Sequence, residues 1–418
     1  MFPDGPSESG RLDISGRAAQ TVPVSTPPPL RIGTRGSDLA MTQTTTVARA
    51  LAAATGREVE LVRIRTEGDR SKASLASLGG TGVFAAALRE ALLSGTCDVA
   101  VHSLKDLPTR PTEGLSIGAL PPRADHRDVL CAREGWTLAD LPAGARVGTG
   151  SPRRAAQLRL ARPDVEVVDI RGNVPTRLGR VGADLDAVIL ARAGLERLGL
   201  LEHVTDSLDP EVMLPAPGQG ALAVECRTAD LAGELGEAMR AVDDAPTRLS
   251  VLAERALLAA LEAGCAAPVA AWARVVPATD DAPGADGAPA RLELRAGAFD
   301  PAGARRLVRT TGVELPPAAT EEVAAALARA LGEGCARELI AHGAGEIAGL
   351  PLRAGNALGT AAAAAPGAQV PAAGGAAAGT GAAARPGADP TAETPVPAGV
   401  PDVPGVLDVP DDEPRPLS

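Results

Sequence analysis

Short apolar runs alternate with longer segments of helical periodicity through the first half of the chain. Runs typical of β-strands span residues 30–34, 59–64, 98–101, 146–149, 165–170 and 187–191. The segments between them carry apolar residues at helical spacing, as in GVFAAALREALLS at 82–94. Short strands that alternate with helices of about 10–15 residues are typical of parallel sheets with crossover helices. The pattern therefore predicts two α/β units.

The order of the segments predicts two lobes joined by hinge strands, followed by a smaller third domain. PPRADHRD at 121–128 is typical of a linker, and the Pro/Gly-rich run at 213–227 leads back to a strand-like stretch. A chain that crosses to a second α/β unit and returns leaves two hinge strands between the lobes. Beyond residue 245, a helix, three strand-like runs and a second helix predict an α+β domain. The predicted bounds are 29–121 plus 220–240 for domain 1, 127–214 for domain 2 and 245–352 for domain 3.

Both ends of the chain lack the large apolar residues that a folded core requires. Residues 1–28 are rich in Pro, Ser and Gly, and residues 353–418 are mostly Ala, Gly, Pro and Thr with a short acidic end. Burial of such residues cannot offset the entropy of ordering, so we expect two disordered tails without catalytic function. The segment between them, about 320 residues, is long enough for a substantial core.

Charge and composition exclude several classes of protein. The formal net charge is −11, and three Phe, two Trp and no Tyr leave few rings for stacking bases, so we expect no nucleic-acid partner. No apolar run is long enough to span a membrane, and the N-terminus lacks the pattern of a signal peptide. Five cysteines without a CxxC pair argue against a disulfide framework and against a zinc site. We expect a cytoplasmic monomer without a bound metal.

One segment of this acidic chain is rich in arginine. Between Arg146 and Arg180, eight arginines are accompanied by only three acidic residues. Arg153 and Arg154 follow GTGS at 148–151, where a strand ends, a helix begins and free backbone N–H groups favour anions. Ligands of open α/β sheets bind beyond the carboxyl ends of strands, and arginine forms bidentate bonds to carboxylates. The segment indicates a site for a ligand with several carboxylates, although a basic surface patch with salt bridges has the same pattern.

Two further features could carry chemistry. Lys105 and Asp106 follow a strand in VHSLKD, where the carboxylate could stabilise a developing cation or move a proton; the pair could equally be an ordinary surface ion pair. Cys265 follows a glycine just past a predicted helix end, and its thiol could carry a covalent adduct or be an unreactive small residue. The motifs GxGxxG, HExxH and GxSxG and the P-loop are absent, which leaves dinucleotide folds, P-loop enzymes and common hydrolases without support.

Nine segments of the chain closely resemble the porphobilinogen deaminase family, whose members are also called hydroxymethylbilane synthases. The segments are LRIGTRGSDLA, TEGDR, GGTGVFAAALREALL, DVAVHSLKDLPT, VGTGSPRRAAQL, DIRGNVPTRL, AGLERLGL, LPAPGQGALAVECR and LEAGCAAPV. They lie in the family's order and spacing from about residue 30 to 270, and a looser resemblance continues to about 350. One such motif would be weak evidence, whereas nine in order identify the family.

The resemblance implies an α/β fold with two lobes like type II periplasmic binding proteins, plus a smaller α+β domain. It implies an active site in the cleft between the lobes and a transferase of porphyrin and haem biosynthesis. Four porphobilinogen molecules would be joined in succession, each with loss of ammonia, into the linear tetrapyrrole hydroxymethylbilane. A dipyrromethane cofactor would be held by a thioether bond to Cys265.

The family's functional residues fall on matching positions of this chain. The catalytic aspartate falls on Asp106, where a carboxylate at the pyrrole nitrogens would stabilise the cation left by loss of ammonia. Cofactor contacts are implied for Cys265, Lys105, Ser37, Arg153, Arg154, Ser151, Arg171 and Gln219, the last as a hinge or cofactor-loop contact. Contacts to the acids of the substrate are implied for Arg35, Arg171, Arg177 and Arg197. The chain departs from the family at Thr81, where many relatives carry a lysine, so one cationic contact is missing or comes from Lys72 or an arginine.

Other classes of protein are compatible with parts of the sequence. A two-lobed protein that only binds a carboxylate-bearing small molecule would carry an export signal or need a transport partner, and would leave Asp106 and a loop thiol without a role. A regulator with an α/β effector domain would need a DNA-reading helix-turn-helix, which the tails do not show. A paralogue that binds without turnover is hard to reconcile with the presence of Asp106, Cys265 and the arginines.

Overall fold

The computed structural model describes residues 27–65, 83–264, 266–277, 290–351 and 406–408. Three residues that the sequence singled out, Lys72, Thr81 and Cys265, lie outside this part of the chain, as does most of both predicted tails. The described residues form two α/β lobes and an α+β domain, which confirms the predicted fold class. Within the described ranges, no helix combines the length and apolar character needed to cross a membrane.

Strands and helices alternate through both lobes, and the third domain follows them. The described strands are β1 (Leu30–Thr34), β2 (Val59–Arg63), β3 (Val99–Ser103), β4 (Leu115–Ala119), β5 (Asp128–Ala132), β6 (Arg146–Gly148), β7 (Glu166–Val168), β8 (Ala187–Ala191), β9 (Asp206–Ser207), β10 (Leu222–Arg227), β11 (Val269–Val276), β12 (Ala290–Phe299), β13 (Arg306–Leu315) and β14 (Val406–Asp408). The described α-helices are α1 (Asp38–Thr55), α2 (Val83–Leu93), α3 (Pro152–Ala161), α4 (Val174–Leu178), α5 (Arg192–Leu198), α6 (Glu234–Val242), α7 (Ala245–Ala260), α8 (Glu321–Ala341) and α9 (Ala344–Ala348). A 3₁₀ turn, Leu104–Asp106, follows β3 directly.

Lobe 1 is built on a sheet with the strand order β14-β2-β1-β3-β10-β4. β1 is parallel to β2 and β3, and its buried Leu30 and Ile32 share a core cluster with residues of α1 and α6. α2 covers the opposite face, where Leu88 packs in a second cluster with Ala100. β10 runs antiparallel to both β3 and β4. The sheet therefore has helices on both faces, as the apolar strand runs predict.

Lobe 2 follows a similar plan, with the strand order β7-β6-β8-β5-β9. β6 is parallel to β7 and β8, whereas β5 runs antiparallel to β8 and β9. Leu158 of α3 and Leu195 of α5 belong to separate buried clusters, with Ile189 and Val188 of β8 respectively. Since successive side chains of a strand point to opposite faces, these two helices cover opposite sides of the sheet.

Two segments cross between the lobes and hydrogen-bond to each other. The outgoing segment runs from β4 to β5 and the returning segment leads into β10, and the N–H of Ala124 in the first donates to Gly220 O in the second at 3.3 Å. Gly220 has a φ of +89°, and a Cβ at this position would lie 2.4 Å from Ala124 O. Only glycine allows this approach and this backbone conformation without strain.

Domain 3 packs α7 and α8 against the antiparallel sheet β11-β12-β13. Its core contains Leu257 of α7, Leu292 and Leu294 of β12 and Leu339 of α8, all fully buried. The predicted helix, three strands and second helix are therefore all present in this part of the chain.

Domain 3 also contacts lobe 2 and the outgoing hinge segment. Phe299 of β12 and Ala270 of β11 share a buried cluster with Ala156 of α3. His126 of the hinge segment stacks on Trp272 of β11, with 4.5 Å between the ring centroids. Burial is the main reason why the pKa of His126 is lowered to about 4, so the ring is neutral at pH 7. The third domain is thus packed against the helix that follows the GTGS segment of lobe 2.

Two elements of lobe 2 are shorter than predicted by at least two residues. The strand predicted over 165–170 is only Glu166–Val168, because its single neighbour β6 is itself three residues long. The helix predicted over 173–180 ends at Leu178, before Gly179, a residue with poor helix propensity. Both differences shorten regular structure; the first lengthens the loop that carries Arg171, and the second leaves Arg177 in the last turn of α4.

One short strand lies inside the predicted C-terminal tail. Residues 406–408 form β14, which pairs in parallel with β2 at the edge of the lobe 1 sheet. The remainder of residues 353–418 lies outside the described part of the chain.

Candidate active site

Most of the residues that the sequence singled out lie in loops at the carboxyl ends of strands or in the helical turns that follow these loops. These residues are Arg35, Ser37, Lys105 and Asp106 in lobe 1 and Ser151, Arg153, Arg154, Arg171 and Arg177 in lobe 2. The strands that precede these loops are parallel within each lobe, so the loops of one lobe leave the same edge of its sheet. Each lobe therefore contributes one cluster of polar side chains.

Two serines cap the helices that open at these edges. Ser37 Oγ accepts a hydrogen bond from the Ala40 N–H at 3.4 Å, at the start of α1. Ser151 Oγ accepts from the Arg154 N–H at 3.5 Å, at the start of α3. A hydroxyl that accepts in a cap still has its own proton to donate, so both serines can also contact an anion.

A buried carboxylate, Asp128, pairs with both Arg153 and Arg154. Asp128 opens β5, and its two oxygens each lie 2.7 Å from a guanidinium nitrogen, Oδ2 from Arg153 Nη1 and Oδ1 from Arg154 Nη2. The guanidiniums also donate to carbonyl groups, that of Arg153 to Leu214 O at 2.6 Å and that of Arg154 to Ile189 O at 3.0 Å. The two predicted anion ligands are therefore part of an ion cluster, and the sequence analysis missed its carboxylate.

The charges in this cluster stabilise one another. Burial alone would raise the pKa of Asp128, but the positive charges of Arg153 and Arg154 hold it well below its ordinary value. Asp128 is fully buried and both arginines are nearly so. One carboxylate between two guanidiniums leaves a net positive charge in the wall of the site.

Gln219 connects this cluster to the Lys105 loop of lobe 1. Its side-chain Nε2 donates to Asp128 Oδ1 and to His126 O, both at 2.8 Å. Its Oε1 accepts from Lys105 Nζ at 3.5 Å. Gln219 is 1% exposed and lies in the returning hinge segment, so the structure places it as a link between the lobes. The resemblance had implied a hinge or cofactor-loop contact for this residue.

Lys105 and Asp106 sit together in the 3₁₀ turn after β3. Burial is the main reason why the pKa of Lys105 is lowered to about 8; the negative charge of Asp106 opposes this effect, and the positive charge of Arg154 adds to it. Asp106 itself is exposed. The turn thus presents a carboxylate to solvent beside an ammonium group that loses its proton more readily than usual.

Arg177 of lobe 2 lies within electrostatic reach of Asp106 in lobe 1. The pKa of Arg177 is lowered to about 10 by burial and by the positive charges of Arg154 and Arg171, and is partly restored by Asp106 and Asp169. Arg177 is therefore close enough to Asp106 for their charges to interact, which brings the polar clusters of the two lobes near each other. The Nε of Arg177 donates to Gly172 O at 2.7 Å, which orients its side chain.

The remaining predicted residues have different surroundings. Arg197 of α5 donates from Nη2 to Gly220 O at 2.7 Å, so its guanidinium contacts the returning hinge segment. Arg35 is half-buried in the turn between β1 and α1. Cys265 is outside the described residues, two positions after Ala263 at the edge of the domain 3 core.

The cleft holds more positive than negative charge. Five cations, Lys105, Arg153, Arg154, Arg171 and Arg177, share it with the carboxylates of Asp106, Asp128 and Asp169. The Nε groups of Arg153 and Arg171 are buried and have no hydrogen-bond partner among the described residues. Such N–H groups are costly to leave unpaired, so this site suits a ligand with several carboxylates.

Two family models that match this chain describe the same family. Residues 30–234 match a family model described as "Porphobilinogen deaminase, dipyromethane cofactor binding domain". Residues 248–340 match a second one, "Porphobilinogen deaminase, C-terminal domain". The two matches meet close to the start of α7, where the third domain begins.

Curated relatives named porphobilinogen deaminase cover the same part of the chain. The protein from Micrococcus luteus is 53% identical over 364 residues, which cover 77% of this chain and 95% of the relative. The protein from Thermobifida fusca is 54% identical over 322 residues, 76% of this chain and 95% of the relative. Among solved structures, the periplasmic VFT2 domain of BvgS from Bordetella pertussis aligns with a TM-score of 0.32 and 15% identity over 51% of this chain and 88% of that domain.

The buried ion cluster predicts a large effect of one isosteric change. Asp128→Asn keeps the shape but leaves Arg153 and Arg154 buried without a counter-charge, so we expect the free energy of unfolding to fall by about 3–5 kcal/mol. Urea denaturation of the purified proteins measures this difference. The matched control is Asp164→Asn, which removes an ion pair with Arg162 at the surface and should change stability far less. Equal losses in the two variants would contradict the assigned role of Asp128.

Proposed function

Because this chain belongs to the porphobilinogen deaminase family, we propose that the cleft between its lobes joins four porphobilinogen molecules into the linear tetrapyrrole hydroxymethylbilane. Such an enzyme is a transferase: each addition breaks a C–N bond, releases ammonia and forms a C–C bond to the growing chain, and water finally releases the tetrapyrrole and supplies its hydroxyl group. The observation that carries this proposal is the buried ion cluster of Asp128, Arg153 and Arg154, which Gln219 joins to Lys105, the neighbour of Asp106.

Asp106 is the proposed catalytic carboxylate. Loss of ammonia from porphobilinogen leaves a cation whose charge is shared with the pyrrole nitrogen, and a carboxylate held nearby stabilises it. After the C–C bond forms, the ring that attacked must lose its α-proton, which the same carboxylate can accept. Asp106 is exposed on its turn and makes no hydrogen bond with another described side chain, so its carboxylate is accessible to substrate.

The arginines and Lys105 are proposed to hold the acids of the substrate and product. Each porphobilinogen brings one acetate and one propionate, so every addition puts two more negative charges into the cleft. Arg171 and Arg177 lie on the lobe 2 side, and the unpaired Nε groups of Arg153 and Arg171 are donors that a carboxylate would satisfy. Arg35 and Arg197 complete the proposed substrate contacts, although the structure shows Arg197 on the hinge backbone.

The residues present fit the dipyrromethane cofactor of the family. When bound, this group supplies the free pyrrole α-carbon to which the first substrate unit is joined. Cys265 is the proposed attachment point, and the proposed contacts to its acids are Lys105, Ser37, Ser151, Arg153, Arg154 and Arg171. Gln219 is proposed to act through its bonds to Lys105 and Asp128, since both of its amide protons are already donated.

We also propose that the protein acts as a cytoplasmic monomer. Both walls of the cleft and the proposed attachment residue come from one chain, so no second copy is required to complete the site. Sedimentation of the purified protein checks the monomer.

The covalent cofactor can be tested by intact mass. After incubation with porphobilinogen, the wild-type protein should exceed its polypeptide mass by two linked pyrrole units, whereas Cys265→Ala should not. Cys335→Ala is the matched control, because it removes a buried thiol of the same domain and should retain the added mass. If the wild-type protein has only its polypeptide mass, the proposal is wrong, and the alternative of a two-lobed binding protein without turnover is favoured.

Replacement of the proposed catalytic carboxylate should abolish turnover without unfolding the protein. Asp106 is exposed, so Asp106→Ala should keep the wild-type unfolding midpoint, while the rate of porphobilinogen consumption falls by about 10²-fold or more. Asp184→Ala, which removes another exposed acid of the chain, is the control and should retain activity. Near-normal turnover by Asp106→Ala would remove this residue from the mechanism.

The lowered pKa of Lys105 predicts a loss of activity at alkaline pH. The ammonium is present below its pKa of about 8 and is lost as the pH rises through that value, so kcat/KM for an anionic substrate should fall there. Lys105→Arg keeps a positive charge at all these pH values, and its profile should remain flat to higher pH. Superimposable pH profiles of the two proteins would show that Lys105 does not titrate in the reaction.

A further inference from the structure

We propose that Arg255 of domain 3 is a positioning residue that holds the Asp106 turn of lobe 1 in place. The inference rests on the proposed function, because it assigns Arg255 a role through the carboxylate of Asp106. The contacts of Arg255 reach across a domain boundary to the loop that follows this carboxylate.

Arg255 binds the two residues that come directly after Asp106. Its Nη1 donates to Leu107 O at 2.9 Å and its Nη2 donates to Pro108 O at 2.7 Å. A planar guanidinium fork fits two neighbouring acceptors, and hydrogen bonds from a charged donor are stronger than neutral ones. One side chain of α7 therefore fixes the backbone at the end of the turn.

The turn depends on such outside support. The turn consists of three residues, of which Leu104 is buried, Lys105 is half-buried and Asp106 is exposed, and the next residue, Leu107, is buried. The Asp106 carboxylate makes no hydrogen bond to any described group. Its position is therefore set by the backbone on either side, by β3 before the turn and by the carbonyls bound to Arg255 after it.

Apolar side chains also pack α7 against the same turn. Val251, one helical turn before Arg255, shares a buried cluster with Leu104 and Leu107. The contact of Arg255 is thus the polar part of a continuous interface between α7 and the Asp106 turn.

The preceding residue, Glu254, braces the returning hinge segment. It is fully buried, forms an ion pair with Arg123 at 2.6 Å, and accepts from the N–H of Gly218 at 2.6 Å. Gly218 immediately precedes Gln219, whose Oε1 binds Lys105. Adjacent residues of α7 therefore position the two segments that carry Asp106 and Gln219.

This arrangement joins catalysis to the domain that carries Cys265. α7 ends at Ala260, five residues before the proposed attachment point. A displacement of domain 3 relative to lobe 1 would move the carbonyl contacts of Arg255 as well. The contacts of Arg255 thereby keep Asp106 at a fixed position relative to domain 3, the domain to which the growing chain would be attached.

Two substitutions of Arg255 test the proposal, with a control from the same helix. Arg255→Leu should lower kcat by about 10- to 100-fold with KM changed by less than about 2-fold, because a small displacement of a catalytic group affects the chemical step. Arg255→Lys should recover part of kcat, since an ammonium can still donate to one or both carbonyls. Arg248→Leu also removes an arginine bond from α7 to lobe 1, to Gly118 O at 3.0 Å, but away from the turn, and kcat should stay near the wild-type value.

Hydrogen exchange supplies a measurement that does not depend on turnover. Amide exchange at residues 104–107 should be at least about 10-fold faster in Arg255→Leu than in the wild-type protein, and unchanged in Arg248→Leu. Unchanged exchange at these residues in Arg255→Leu would overturn the proposal, as would equal losses of kcat in the two leucine variants. The intact mass of each protein distinguishes failure of the proposed function from failure of this inference. If the wild-type protein carries no added cofactor mass, the proposed function fails. Amide exchange at the Asp106 turn still tests the role of Arg255 in that case.

Discussion

The pairing of Asp128 with Arg153 and Arg154 is the interaction on which the rest of the site depends. Two adjacent arginines in the first turn of α3 oppose the positive end of the helix dipole, and both are buried. A single carboxylate at the start of β5 makes this arrangement stable, and Gln219 binds the same oxygen. Because β5 is entered from the outgoing hinge segment and Gln219 lies in the returning one, the ion cluster also ties the hinge to lobe 2.

The third domain contacts several of the segments that form the site. Glu254 and Arg255 are consecutive residues of α7, yet they bind opposite sides of the site, the returning hinge segment and the loop after Asp106. On lobe 2, the sheet of domain 3 packs on α3, the helix that carries the paired arginines. One domain thus contacts the Asp106 turn, the returning hinge segment and α3, which is expected where a covalent cofactor must reach a carboxylate in another domain.

Much of the site could be predicted from local sequence patterns. The alternation of strands and helices indicated two α/β lobes, and the rule that ligands bind beyond the carboxyl ends of strands selected the loops of Asp106, Arg154 and Arg177. Arg177 is close enough to both Arg154 and Asp106 for their charges to interact. Strand and helix lengths were less predictable, since β7 takes its length from its neighbour rather than from its own residues.

The sequence by itself determined the fold class, the family and the loops from which the functional groups project, because periodicity and motifs are encoded in neighbouring residues. Only the tertiary structure decided which charges meet. Asp128 neutralises Arg154 across 26 positions of the chain, and Arg255 reaches Pro108 across 147. The residues next to an arginine in the sequence do not reveal its partner. The same local pattern fits an arginine that binds a buried carboxylate, one that binds a hinge carbonyl, as Arg197 does, and one that binds a ligand. The partner of a charged side chain is set by the packing of distant elements, and that packing is the property that a local pattern does not contain.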